Sequence, residues 1–95
     1  MSAYVVVEVD VTDPEGYADY APMATASVTK HGGRFLARGS KTEEWEGEWS
    51  NRIVVLEFES LEAAHAWYFS EDYQAAAAVR QQHSSARMVA VEGAT

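Results

Sequence analysis

The stretch AYVVVEVDV, residues 3–11, decides the fold because valine occupies every second position along it. One side of the extended chain is uniformly aliphatic and carries Val5, Val7, Val9 and Val11. The other side is mixed and carries Tyr4, Val6, Glu8 and Asp10. This alternation is typical of a strand with one face covered by helices. The sequence therefore predicts a central strand over residues 3–11 with its valine side buried.

A helical pattern follows this strand. Residues 12–15, Thr-Asp-Pro-Glu, supply a capping side chain, a proline suited to the first helical position and an acid near the positive helix end. Apolar residues then recur at three- and four-residue steps up to His31, and the glycine pair at 32–33 ends the helix. Pro22 falls inside this pattern, so we expect a bend near Tyr20.

The rest of the chain alternates strands and helices. Strands are predicted at 34–40, 53–59 and 87–92, and Ser60 and Ser70 are predicted to cap helices that run to Tyr68 and Gln82. The order matches the split βαβ pattern of α+β ferredoxin-like domains, with strands in the spatial order four, one, three, two and both helices on one face. We expect one such domain over residues 1–95.

Between the second and third strands lies a polar segment, residues 41–51, which contains Trp45 and Trp49 around Gly47. The segment is predicted to be an arm or a hairpin extension. Exposed tryptophans are unfavourable in water, so we expect both to pack against a partner protomer.

Composition excludes several classes of function. Fifteen acidic and seven basic residues give a formal charge of −8, which repels nucleic acid and anionic membrane surfaces. The chain has no cysteine, which excludes disulfides, thiolate zinc sites and thiol catalysis and fits the reducing cytoplasm. No signal peptide, metal-ligand spacing or cofactor motif is recognisable, so neither a metal nor a cofactor is predicted.

The predicted sheet has a second face without helices. Alternation assigns the helix-facing side to Val54, Leu56 and Phe58 of the third strand and to Val89 and Val91 of the fourth. The open face then receives a mixture of aliphatic and acidic side chains: Tyr4, Val6, Glu8, Asp10, Ile53, Val55, Glu57, Met88, Ala90 and Glu92. On the second strand, Phe35 and Ala37 are assigned to one face and Arg34, Leu36 and Arg38 to the other. We expect a second copy of the chain to cover this open face.

The whole chain resembles a bacterial family called domain of unknown function 1330, within the dimeric α+β barrel superfamily. The matching segments are TDPEGY (12–17), GGRFLARG (32–39), EGEW (46–49), residues 52–58, and AWY (66–68) with Ser70 and Tyr73. The resemblance implies a homodimer whose sheets pack face to face, with a cavity between each sheet and its helices or at the seam. It implies no reaction.

The candidate site residues combine carboxylates, guanidinium groups and aromatic rings. Glu57, Glu8 and Arg38 are candidates for catalysis, because Arg38 or Arg34 is expected to reach Glu57 beside Glu8. Candidates for ligand binding are Arg38, Glu57, Trp67, Tyr68 and Arg80, and Arg52 joins Arg38 and Arg80 as a cation suited to a carboxylate-bearing ligand. The same carboxylates can instead form an interfacial ion-pair network, and the same rings can be core packing.

Three functions stay open from the sequence. The first is a homodimer that binds a small molecule. The second is a cofactor-independent enzyme, similar to a monooxygenase or an isomerase, acting on a small aromatic or acidic metabolite. The third is a structural module that only dimerises.

Overall fold

The computed structural model describes residues 1–49 and 52–94. Its elements are β1 (Ala3–Val11), α1 (Pro14–Tyr17), α2 (Tyr20–Lys30), β2 (Arg34–Arg38), β3 (Arg52–Phe58), α3 (Leu61–Tyr68), α4 (Glu71–His83) and β4 (Ser84–Glu92). The strands form one antiparallel sheet in the order β2-β3-β1-β4, which confirms the predicted ferredoxin-like α+β topology. Within the described ranges, no helix has the length and apolar character needed to span a membrane.

The valine side of β1 forms the centre of the core, as predicted. Val5 opposes Leu56 of β3 and Val7 opposes Val54, so these side chains share the helix-facing side of the sheet. Helices α2, α3 and α4 cover this side with small and aromatic residues, chiefly Ala24, Val28, Ala64, Trp67, Tyr73, Ala76 and Ala77. The apolar layer between sheet and helices therefore supplies the burial that stabilises the fold.

The predicted bend near Tyr20 is present as a break between two helices. Helix α1 ends at Tyr17 and α2 begins at Tyr20. Pro22 lies in the first turn of α2, where a backbone N–H would have no partner within the helix. The break therefore precedes the proline, and α2 continues through it to Lys30.

Both predicted serine caps are confirmed. The Ser60 hydroxyl accepts a hydrogen bond from the backbone N–H of Ala63, and the Ser70 hydroxyl accepts one from the backbone N–H of Tyr73. These caps fix the starts of α3 and α4. They also set the helical phase that turns Trp67 and Tyr73 into the core.

The predicted faces of β4 are wrong. Met88 opposes Val7 and Ala90 opposes Val5, so Met88 and Ala90 face the helices. Val89 and Val91 stand on the open face and are 61% and 51% exposed. Both sides of this strand carry apolar residues, so alternation alone did not distinguish the buried side.

The predicted faces of β2 are also wrong in part, because the strand contains a bulge. Arg34 opposes Glu57 and Phe35 opposes Leu56, but Ala37 then opposes Val55, and the register shifts between Phe35 and Ala37. The shift moves Arg38 to the helix-facing side, opposite Val54. There its guanidinium carbon lies 3.6 Å from the centre of the Phe35 ring.

The predicted arm contains no strand over its described residues, which end at Trp49. Ser50 and Asn51, which the prediction also included, lie outside the described residues. Trp45 is 83% exposed and Trp49 is 50% exposed in the single chain. Their indole N–H groups donate to the Glu43 carboxylate and to the Glu46 carbonyl. The expected packing of both rings on a partner stays a prediction.

Candidate functional site

A cavity of about 50 Å³ lies between the helix-facing side of the sheet and the helices. Its apolar walls come from both layers, including Val7, Val54, Leu56, Phe35, Ala24, Val28, Trp67 and Met88. Its polar lining consists of Tyr17, Tyr20, Thr25, Arg38, Arg52 and Arg80. No carboxylate or imidazole belongs to the lining in the described part of the chain. Positive charge therefore gathers in one cavity of a strongly acidic protein.

Arg80 is the most deeply buried of these cations. It follows Tyr73, Ala76 and Ala77 along the inner side of α4, and the whole residue is 7% exposed. Its guanidinium group lies beside the Tyr73 hydroxyl. Its Nε, however, has no hydrogen-bond partner among the described residues. A buried cation without an acidic partner costs free energy unless something else binds it.

Arg52, the first residue of β3, presents a second unsatisfied donor. Its Nε is also buried and has no partner within residues 1–49 and 52–94. The side chain lies close against Gly39, whose φ is +68°. A Cβ at position 39 would stand 2.7 Å from Cγ of Arg52. Gly39 therefore supplies both the turn after β2 and the space that Arg52 occupies.

Phenols complete the polar side of the cavity. The hydroxyl groups of Tyr20 and Tyr73 are 2.8 Å apart, and the rings of Tyr17 and Tyr20 are 5.3 Å apart between centres. Burial raises the pKa of Tyr20 far above the ordinary value for a phenol. Burial also raises the pKa of Tyr17, although the positive charges of Arg52 and Arg80 oppose this shift. Both phenols therefore stay neutral at physiological pH and can donate hydrogen bonds.

This arrangement is suited to an anion. Guanidinium groups offer planar pairs of N–H donors that match a carboxylate, and neutral phenols add further donors. Around the buried Arg80, where water is excluded, such hydrogen bonds are stronger than in water. The described lining contains no carboxylate, imidazole or amine that would act as a general base.

Residues 2–94 match the model of a family described as domain of unknown function (DUF1330). The chain belongs to this family. The resemblance seen in the sequence is thus confirmed. A search of curated proteins found no match.

Solved structures similar to this DUF1330 domain share its fold. A protein of unknown function from Rhodopseudomonas palustris, RPA0582, has a TM-score of 0.77 and 16% identity, over 99% of this chain and 83% of its own. A dimeric ferredoxin-like protein of unknown function from Jannaschia has a TM-score of 0.67 and 16% identity, over 98% and 100%. SnoaB, a cofactor-independent oxygenase from Streptomyces nogalater, has a TM-score of 0.67 and 11% identity, over 99% and 94%.

The structure divides the predicted site residues of this DUF1330 domain between the two faces of the sheet. Arg38, Arg80 and Trp67 meet at the cavity, together with Arg52. Glu57 and Glu8 stand on the open face. Of the two arginines expected to reach Glu57, Arg34 does so, whereas Arg38 does not in the single chain, because the bulge in β2 turns Arg38 to the other side.

The two open-face carboxylates have their own arginine partners. Glu57 accepts a 2.7 Å hydrogen bond from Nε of Arg34, and this bond lowers the pKa of Glu57. Glu8 accepts a 2.7 Å hydrogen bond from Arg87 of β4. Glu57 opposes Tyr4 rather than Glu8, which stands four residues further along β1 and thus about 13 Å away. The carboxylates therefore form two separate ion pairs in the described structure.

Trp67 and Tyr68 differ in their surroundings. Trp67 is 1% exposed, and its ring lies 4.1 Å from that of Tyr73 between centres. Tyr68 is half-buried and lines a second, more open groove of about 350 Å³ between α3 and β4. Trp67 and Met88 border both the cavity and this groove.

Sequence reasoning did not identify Tyr17 and Tyr20 as site residues. Both fall within the apolar pattern of the first predicted helix, and both pack against the core. Their hydroxyl groups meet polar partners only in the folded structure, where Tyr20 contacts the Tyr73 hydroxyl and Tyr17 lies near Arg52 and Arg80. The predicted bend near Tyr20, seen as the break at residues 18–19, is a local signal close to both residues.

Proposed function

We propose that this DUF1330 protein binds a small molecule that carries a carboxylate, and that Arg80, Arg52 and Arg38 hold this group in the cavity. One observation carries the proposal. Arg52 and Arg80 both line a cavity whose described lining contains no acid, and the Nε of each is buried without a hydrogen-bond partner among the described residues. Trp67 supplies a rigid apolar wall.

A bound carboxylate would offset the free-energy cost of the unsatisfied donors. Leaving a buried donor unsatisfied costs about 1–3 kcal/mol, and more where the group is charged. A bound carboxylate removes this cost by accepting from the guanidinium groups, so the empty protein is less stable than the complex. Two or three cations held in fixed positions also favour an anion over its neutral counterpart.

We also propose that the protein acts as a homodimer through its open face. A row of aliphatic side chains crosses this face at its centre: Val89, Val6, Val55 and Ala37. The ion pairs Arg87–Glu8 and Arg34–Glu57 stand on either side of this row. Similar solved structures described as dimeric ferredoxin-like proteins support this proposal.

A cofactor-independent enzyme is the second candidate. A similar structure described as a cofactor-independent oxygenase favours it, although an identity of 11% speaks for the fold alone. The catalytic roles first considered for Glu57, Glu8 and Arg38 stay predictions. For these roles, a carboxylate on the open face of one protomer would have to reach a ligand bound in the cavity of the other protomer. A purely structural dimer would leave the cations of the cavity without a role.

A cytoplasmic location is part of the proposal and is supported by the cysteine-free composition, and a bacterial source is proposed from the resemblance to a bacterial family. The absence of nucleic acid and membrane partners likewise stays a prediction from the formal charge of −8.

The test is calorimetric titration of the purified protein with acetate, benzoate and hexanoate, and with hexan-1-ol as the uncharged counterpart of hexanoate. We expect at least one carboxylate to bind and the alcohol not to bind. Arg80→Met and Arg52→Met should each weaken carboxylate binding at least tenfold. Lys41→Met is the matched control, because it removes one positive charge from an exposed residue outside the cavity lining.

Two results would count against the proposal. Carboxylate binding that is equally strong in Arg80→Met, Arg52→Met and the wild type would place the anion elsewhere. Equal binding of hexanoate and hexan-1-ol would show that charge is not recognised. Circular dichroism of each variant would establish that a loss of binding is not a loss of folding.

A further inference from the structure

The volume of the cavity limits what the proposed carboxylate ligand can be. Pockets that enclose a complete drug-sized ligand measure roughly 300–1,000 Å³. The cavity beside the arginines measures only about 50 Å³, which is enough for a carboxylate group or a few waters. The groove between α3 and β4 measures about 350 Å³ and therefore has the size that the cavity lacks.

The cavity and the groove are neighbours along β1. Val7 lines the cavity and Val5 lines the groove, and the two residues are consecutive on the helix-facing side. On β4 their partners are Met88 and Ala90. Met88 borders both spaces, so its side chain stands between them.

The two side chains that border both spaces differ in stiffness. Trp67 is held by its hydrogen bond to Ser27 and by packing against Phe58 and Tyr73. Met88 is only partly buried, and its unbranched side chain has several rotatable bonds and adapts to irregular spaces. A rotation of Met88 would therefore open a path from the arginines into the groove while Trp67 stays in place.

The groove also differs from the cavity in its chemistry. Its lining is apolar and aromatic apart from His65, with Leu61, Tyr68 and Phe69 on the helix side. Phe69 is 64% exposed and Leu61 is 42% exposed, which leaves apolar surface at the rim. This surface is suited to the hydrocarbon part of a ligand, and in place of the three arginines of the cavity its described lining offers a ligand only His65 and the Tyr68 hydroxyl as side-chain donors.

We infer that the ligand is an amphipathic monocarboxylate whose acid group lies among Arg38, Arg52 and Arg80 and whose apolar body passes Met88 into the groove. This inference rests on the proposed function, because it names the class of carboxylate that the same site accepts. The groove then selects ligands by the length and shape of their apolar part.

The test is calorimetric titration with propanoate, hexanoate and octanoate, and with octan-1-ol. Each methylene that enters the groove should strengthen binding by up to about fourfold. Ala90→Leu, which adds bulk on the groove side of β4, should reduce the ratio of octanoate to propanoate affinity at least tenfold. Ala75→Leu, on the exposed side of α4, is the matched control and should keep the wild-type ratio.

A second measurement does not depend on the folding of the Ala90 variant. The methyl group of Met88, assigned in a methionine-labelled NMR spectrum by means of Met88→Leu, should shift with octanoate and shift less with propanoate. An unshifted Met88 methyl at saturating octanoate would overturn the inference.

The remaining outcomes separate this inference from the proposed function. Equal affinities for all three acids, or a chain-length dependence that survives Ala90→Leu, would overturn the inference and leave carboxylate binding intact. Octan-1-ol binding as tightly as octanoate would also overturn it, because the groove would then act without the arginines. Failure of every acid to bind would overturn both.

Discussion

The indole Nε1 of Trp67 donates a 3.1 Å hydrogen bond to Oγ of Ser27, and both residues are 1% exposed. The Ser27 hydroxyl in turn donates to the carbonyl of Ala24 at 2.9 Å. This chain of bonds links α3 to α2. It also fixes the Trp67 ring, which borders both the cavity and the groove.

Removing the serine hydroxyl should destabilise the protein. In Ser27→Ala the Trp67 N–H loses its acceptor in a buried place, so we expect the free energy of unfolding to fall by about 1–3 kcal/mol. Urea denaturation measures the change. Thr29→Ala, on the exposed side of the same helix, is the control and should change it by less than about 0.5 kcal/mol. Equal midpoints for the two variants would contradict the role of this bond.

Replacing Arg80 should raise the free energy of unfolding and weaken carboxylate binding. Arg80→Met removes a buried cation that has no carboxylate partner among the described residues, and it keeps an apolar side chain of similar length. We expect the ligand-free protein to gain about 1 kcal/mol or more in unfolding free energy. Carboxylate binding should weaken at the same time. A loss of stability in the absence of ligand would show that Arg80 is a structural residue.

Gly39→Ala should weaken carboxylate binding through Arg52. An added Cβ would meet the Arg52 side chain and move its guanidinium group, and the φ of +68° is unfavourable for alanine. Gly47→Ala is a matched control, since Gly47 has a φ of +80° and an added Cβ would stand at an ordinary contact distance, 3.8 Å, from Nε1 of Trp49. Both variants should lose about 1 kcal/mol of stability, but only Gly39→Ala should bind acids more weakly in a calorimetric titration. Equal affinities in the two variants would contradict the positioning role.

The ion pair of Arg34 and Glu57 should make the free energy of unfolding depend on pH in the acidic range. The hydrogen bond from Arg34 lowers the pKa of Glu57, so the folded state favours the ionised carboxylate. Its stabilising contribution is present above the ordinary glutamate pKa of 4.5 and is lost as pH falls through the lowered value. Glu57→Gln should therefore be less stable at neutral pH and should lose less stability on acidification. Urea midpoints measured from pH 7 to about pH 3 would check this. A dependence on pH as steep as that of the wild type would contradict it.

The strands show how far alternation can predict a sheet. It predicted both faces of β1 because valines occupy one side and acids interrupt the other. It failed on β4, where Met88 and Val89 are both apolar and only the position of the helices decides which is buried. Burial there depends on packing from distant parts of the chain, which a local pattern does not contain.

The sequence predicted only part of the candidate site, and the reason is related. Arg38, Arg80 and Trp67 were selected for their chemistry, and the structure brings them to one cavity. Their grouping with Glu57 failed because the bulge after Phe35 reverses the direction of Arg38. A bulge of this kind leaves the spacing of residue types unchanged, so it is visible only once the strand pairing is known.

Val6 should be a sensitive point of the proposed dimer. It stands at the centre of the open face, between Val89 on β4 and Val55 on β3. Val6→Asp would bury an unpaired carboxylate in a face-to-face dimer, so we expect the dimer dissociation constant to rise roughly 30-fold or more. Sedimentation velocity over a dilution series measures it. Ala75→Asp adds the same charge on the exposed side of α4 and should dimerise as the wild type does. A wild-type protein that sediments as a monomer at micromolar concentration, or a Val6→Asp variant that dimerises equally well, would contradict pairing through this face.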